Sequence, residues 1–170
     1  MQLEKLKSSA MKYGKDVILL VLVIAGIEWW QSRHLPTGPL SETLRTQTIP
    51  TLEGGVSTLW QSEQTTLLYV FAPWCVVCKS SASNLNSFMN TDFNVVSLAL
   101  SWENKEDIRK FVGNTGLETP VLVGNNSTAD LLQISSFPSY FVIGKDGRIL
   151  KAWSGYTTTA GLWLRAMLFR

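Results

Sequence analysis

Apolar and polar positions divide the chain into a basic start, one unbroken apolar run, a polar stretch holding two prolines, and then an alternation of short apolar runs with helical periodicities. Residues 66–72 (TLLYVFA), 94–102 (NVVSLALSW) and 119–124 (TPVLVG) are near-continuous apolar runs, the signature of strands covered on both faces. Between them, residues 77–90 and 103–114 have helical character; in the second, Ile108, Phe111 and Val112 fall on one helical face. Residues 139–144 and 148–154 read as strands joined by Lys145-Asp146-Gly147, where Asp-Gly is a strong hairpin signal. A smaller hairpin is expected from residues 47–52 and 56–59 around Glu53-Gly54-Gly55, with Pro50 confining its first strand to an edge. Residues 159–169 close the chain as a helix with Leu162, Ala166 and Phe169 on one face. Strands alternating with helices predict an α/β fold: a parallel βαβ core, extended by an antiparallel hairpin into a mixed sheet with helices packed on it. There is no internal repeat.

The apolar run at residues 17–27 (VILLVLVIAGI) is shorter than the roughly 20 residues of a full membrane crossing. Extended from Tyr13 to Gln31 it reaches that length, with Tyr13 at one interface and the pair Trp29-Trp30 at the other, where amphipathic rings settle. Lys5, Lys7, Lys12 and Lys15 precede the run and Arg33 follows it, a bias that puts the amino end in the cytoplasm. The expected organisation is therefore a cytoplasmic segment 1–16, an uncleaved transmembrane anchor 17–31, a linker 32–46 marked by Pro36, Gly38 and Pro39, and a domain 47–170 beyond the membrane. Two other readings stay open: a leader cleaved after Val23-Ile24-Ala25, which leaves a very short hydrophobic centre, and a buried core helix, which the lysines and tryptophans suit poorly.

Composition narrows the chemistry. The net charge of +2 arises in the first 16 residues, and the rest of the chain is balanced, so the clustered cationic face that nucleic acid requires is missing. Two Cys and one His do not make a four-ligand zinc site or a disulfide-dense miniprotein. His34, in the linker beside the apolar run, reads as an interfacial bystander, and Trp153 and Trp163 as packing or surface anchors.

The informative stretch is Ala72-Pro73-Trp74-Cys75-Val76-Val77-Cys78-Lys79, a C-x-x-C directly after a buried strand and at the opening of a helix. Unpaired N–H groups at a helix start favour a thiolate at Cys75, lowering its pKa from the free value of about 8.5. Cys78, one turn further in, is more shielded and within disulfide reach. Cys75 is then the attacking sulfur and Cys78 the one that resolves a mixed disulfide. Lys79 reads as a solvated helix charge near the thiolate. A permanent structural disulfide is the competing reading, although so small a loop constrains little of the unfolded chain.

With its hairpin at residues 49–59, the WCVVCK stretch, Phe137-Pro138 and the run Val142-Ile143-Gly144-Lys145-Asp146-Gly147-Arg148-Ile149, the part from residue 47 resembles the thioredoxin superfamily, and within it the membrane-tethered TlpA-like thioredoxins of bacterial envelopes. Its tail, Gly155-Tyr156 and Gly161-Leu162-Trp163-Leu164-Arg165, resembles the suppressor-of-copper-sensitivity (ScsD) branch. From the residues alone an ordinary trans proline opening the strand 139–144 is the better reading of Pro138; the resemblance reverses this and implies a cis-proline beside the dithiol. It further implies a catalytic set of Cys75, Cys78 and Pro138, substrate contacts from Trp74 and Phe137, and no cofactor or metal. The expected setting is a bacterial inner membrane with the catalytic domain in the periplasm, receiving electrons from a membrane donor and passing them to protein disulfides, in copper or oxidative-stress tolerance. Reduction of apocytochrome thiols and Cu(I) binding by the two sulfurs are the alternatives. Three features depart from the family pattern. Tyr69 stands where many thioredoxins have a buried acid, and Ser81 where many TlpA-like proteins have a glutamate. Val76-Val77 carries no imidazole to stabilise the thiolate, which points to a comparatively reducing couple.

Overall fold

In the computed structural model of the chain, residues 15–20, 22, 23, 26, 27, 30 and 32–170 are described. The expected cytoplasmic segment lies almost wholly, and the expected crossing in part, outside the described residues. Those described before residue 32 are helical, and among the described residues no helix is long and apolar enough to cross a membrane.

Strand β4 (Thr65–Phe71) is buried at every position. Side chains alternate between the two faces of a strand, so Leu67, Tyr69 and Phe71 enter one core and Leu68 and Val70 the other. β5 (Phe93–Ala99) flanks β4 in parallel and β7 (Ser139–Ile143) flanks it antiparallel. β6 (Val121–Val123) continues the sheet in parallel beyond β5, and β8 (Arg148–Ser154) pairs antiparallel with β7. A two-residue strand, β1 (Gly38–Pro39), closes the edge on β8, giving the order β1-β8-β7-β4-β5-β6. The hairpin β2 (Thr48–Pro50) and β3 (Val56–Thr58) forms where the sequence places it; Leu52 N–H, in the connection between its strands, donates to the Val121 carbonyl, so that connection lies along the free edge of β6. This is the mixed sheet with flanking helices that the alternation of runs predicts.

The stretch expected to be a linker is part of the domain. Leu35, Leu40 and Leu44 are buried in the second core, against the face carrying Leu68, Val70, Phe141 and Ile143. Helix α1 (Glu42–Thr46) begins where the Ser41 hydroxyl accepts from Leu44 N–H, and Arg45 bonds the Asp146 carbonyl in the β7–β8 turn. Prolines and glycine make this stretch read as a loop. Three well-spaced leucines make it a cover, because a sheet apolar on both faces needs one on each.

Two further helices differ from expectation. The predicted helix 77–90 is α2 (Val76–Ser81) followed by a 3-10 helix (Ala82–Phe88). The hydroxyls of Ser80 and Ser81 donate back to the Val76 and Val77 carbonyls, competition of a kind that disfavours a continuous α-helix. α3 (Lys105–Thr115) matches the predicted periodicity and ends at Gly116 in the left-handed conformation. α4 (Asn126–Leu131) escapes the apolar pattern altogether and is started by the Asn125 side chain, which accepts from Thr128 N–H at 3.0 Å. α5 (Thr159–Leu168) is the predicted closing helix, with Leu162 and Ala166 in the first core.

Replacing Leu44 with Ala is expected to lower unfolding stability by about 2–5 kcal/mol, the cost of deleting a buried leucine. Urea denaturation of residues 32–170 checks this; an unchanged midpoint would return the stretch to the status of a linker.

Candidate active site

Strand β4 ends at Phe71, and the chain turns at once so that Cys75 N–H donates to the Ala72 carbonyl at 3.0 Å. Cys75 occupies the N-cap position of α2, in extended backbone, with its Sγ accepting from Cys78 N–H at 3.1 Å. The two sulfurs form a disulfide with Cα atoms 5.2 Å apart. Cys75 retains 6% of its surface in solvent and Cys78 none, the asymmetry expected for an attacking and a resolving sulfur. A backbone N–H aimed at Cys75 Sγ also stabilises negative charge there once the disulfide opens.

Ser139, the first residue of β7, pairs with Val70 of β4, so Phe137 and Pro138 arrive at the same end of the sheet as the Cys75 turn. The Phe137–Pro138 peptide bond is cis. The rings of Phe137 and Trp74 meet edge to face with centroids 5.8 Å apart. Trp74 is 63% exposed and donates its indole N–H to the Ser101 carbonyl at 2.9 Å. Cys75, Cys78, Trp74, Phe137 and Pro138 are thereby assembled at one end of the sheet.

The sequence reading passes over Ser101 and Trp102 as the end of a strand. Ser101 holds a positive φ of 51°, a conformation that L-residues adopt at a cost. It turns its carbonyl to Trp74, while Trp102 fixes the neighbouring loop by donating to the Gly124 carbonyl at 2.8 Å. Trp74, Trp102, Lys79, Lys110, Glu103 and Asp107 line a groove of about 410 Å³ beside the dithiol. The available signal was position: loops at the carboxyl ends of parallel strands commonly line sites.

Beneath Cys78 lies a polar file without a carboxylate. Tyr69 donates its hydroxyl to the Cys78 carbonyl at 3.0 Å, and the Ser81 hydroxyl donates to the same oxygen at 3.4 Å. Tyr140 packs on Tyr69 at 5.2 Å and stacks on Trp153 at 5.1 Å. Its hydroxyl lies beside Ser81 and Thr157 without a well-formed hydrogen bond. Burial, then mutual repulsion between the phenols, pushes the Tyr69 hydroxyl far up. Burial also pushes Tyr140 up to about 12. Tyr69 is thus a neutral donor that fixes the Cys78 turn, in place of a titrating acid. Of the other tryptophans, Trp153 is buried as expected, and Trp163 stacks on Phe88 at 4.2 Å.

A family model described as the AhpC/TSA family matches residues 43–152. The chain belongs to the AhpC/TSA family. Along most of its length this AhpC/TSA chain is similar to a thioredoxin-like protein of Haemophilus influenzae, 28% identical over 158 residues that cover 91% of this chain and 92% of the relative. A secreted Mycobacterium tuberculosis disulfide oxidoreductase homologous to E. coli DsbE superposes with a TM-score of 0.65 at 18% identity, covering 75% of this chain and 99% of that one. A thiol:disulfide interchange protein of the thioredoxin family from Chlorobium tepidum gives 0.64 at 18% identity, covering 79% and 96%. The fold is therefore thioredoxin-like. Family, fold and the disulfide-bonded C-x-x-C together make the protein a thioredoxin-like thiol–disulfide oxidoreductase.

Because a folded tyrosine pKa above its ordinary value of 10.0 favours the neutral phenol, Tyr140 and Tyr69 contribute stability below that pH and lose it as pH rises through the folded values. Urea midpoints are expected to fall from about pH 8 to about pH 11, and the fall should be shallower in Tyr140→Phe. An identical decline in both proteins would contradict the burial of these phenols.

Proposed function

We propose that the chain is a protein-disulfide reductase whose catalytic residues are Cys75, Cys78 and Pro138, with Trp74 and Phe137 contacting the substrate. The pairing of a slightly exposed, N–H-stabilised Cys75 with a fully enclosed Cys78 carries this reading. In the reduced protein, Cys75 thiolate attacks a substrate disulfide and expels one substrate sulfur. Cys78 then attacks Cys75 Sγ, closing the intramolecular disulfide and releasing the second substrate sulfur. Tyr69 stands where a buried acid would take the Cys78 proton, so the departing substrate thiolate is the acceptor this chemistry offers. The groove between Trp74 and Trp102, with its two lysines and two acids, suits a polar polypeptide segment on either side of the reacting cysteine.

The setting we propose is a bacterial inner membrane, with residues 17–31 as an uncleaved anchor, the domain in the periplasm, and a membrane protein as electron donor. Lysines ahead of the apolar run and one arginine behind it support that orientation. The match to the Haemophilus relative spans more of the chain than the folded domain alone supplies, so it extends into the apolar segment. Assignment to the TlpA-like thioredoxins and their suppressor-of-copper-sensitivity branch, and with it a role in copper or oxidative-stress tolerance, rests on the active-site and tail motifs.

Replacing Cys78 with Ala is expected to trap covalent partners on Cys75, visible as higher bands on non-reducing gels and absent from Cys75→Ala. Equilibration of the wild type with glutathione should give a potential below about −180 mV, and a value near about −120 mV would overturn the reducing assignment. A chain that takes up Cu(I) yet fails to exchange with small dithiols would instead be a copper-binding module.

A further inference from the structure

The path of residues 32–38 fixes where the amino-terminal apolar segment joins the domain. Gly38 pairs antiparallel with Ile149, so the chain before Gly38 runs along the outer edge of β8 towards Ser154. It is held there: Leu35 is buried, Leu35 N–H donates to the Ser32 carbonyl at 3.1 Å, and the Ser32 hydroxyl accepts from Ser154 N–H at 3.3 Å. Ser154 is the β8 residue paired with Ser139, and Gly155 N–H donates to the Pro138 carbonyl at 2.9 Å. The tether therefore leaves from the end of the sheet that carries the cis-proline and the dithiol, three strand spacings from β4, or about 14 Å. The opposite end, the Lys145-Asp146-Gly147 turn, lies a seven-residue strand away, roughly 20 Å or more.

Slack is short as well. Only residues 31–34 separate Trp30 from the buried Leu35, five residue steps that reach at most about 18 Å if fully extended. Resting on the anchor reading above, we propose that the domain is held with its dithiol end facing the bilayer, so that Cys75 exchanges with a protein dithiol located at the lipid–water interface. In that exchange the donor's two thiols become a disulfide while the Cys75–Cys78 disulfide opens to two thiols, and two electrons and two protons pass to this chain. The apolar surface around the cysteines, Trp74, Val76 and Val77, is what such an interfacial partner would meet.

Energy transfer tests the orientation in the full chain. With Cys75 and Cys78 both changed to Ser, a donor dye is placed on Glu103→Cys at the dithiol end or on Lys145→Cys at the far end, in vesicles carrying acceptor-labelled headgroups. Stronger transfer from the Glu103 position is expected. Equal transfer, or stronger transfer from Lys145, in a chain that sediments with the vesicles overturns this inference alone. A chain that does not sediment with them overturns the anchor reading and the inference with it. A second variant, with about 20 Gly/Ser residues inserted between Arg33 and His34, gives a tether of roughly 25 Å r.m.s. span. Re-reduction after an oxidative pulse in cells should slow several-fold while exchange with dithiothreitol in detergent stays unchanged. Unaltered re-reduction would overturn the interfacial partner.

Discussion

Strand β4 must be covered on both faces, and most of this molecule's architecture answers that requirement. Its alternating side chains send Tyr69 and Phe71 into one core and Leu68 and Val70 into the other. The first face is covered by α2, the 3-10 helix, α3 and α5, all of which follow β4 in the chain. The second depends on the leucines at 35, 40 and 44 and on the segments around Ile49, Leu59 and Leu132. β4 also delivers the site, because the turn after its last residue points Cys75 into the opening of α2.

That double cover also fixes the path of residues 32–46 across the domain. Residues that cover the second face also close the sheet edge on β8, and closing that edge returns the chain to the end where β7 begins. A thioredoxin-like domain on a loose leash samples many orientations. Here the buried Leu35 and the Ser32–Ser154 contact hold the chain to the domain as far back as Ser32. The same packing that stabilises the fold also sets the end of the sheet at which residues 32–35 lie.

The floor beneath Cys78 is built of aromatic rings and their hydroxyls, with no carboxylate among them. Tyr69, Tyr140 and Trp153 stack beneath it, and the phenols stay protonated because their charged forms are poorly solvated there. Such a floor holds the Cys78 turn in place without adding an ionisation near neutrality.

The primary structure alone determined the strands, because unbroken runs such as 66–72 and 94–102 are stable only when enclosed. It also determined the βαβ order, the hairpin at Asp146-Gly147 and the C-x-x-C at a helix opening, all of which are local patterns. Other features it left undecided. α4 carries little apolar periodicity, and its start is legible only as an Asn cap. Residues 32–46 look like a loop until their leucines are seen against the uncovered face of the sheet, a contact between segments roughly a hundred residues apart. Ser101 and Trp102 join the site only because β5 ends beside β4. The isomer of the Phe137–Pro138 bond and the meeting of Phe137 with Trp74 were likewise decided by long-range strand pairing, since no local pattern of side chains carries information about which distant strand will lie alongside.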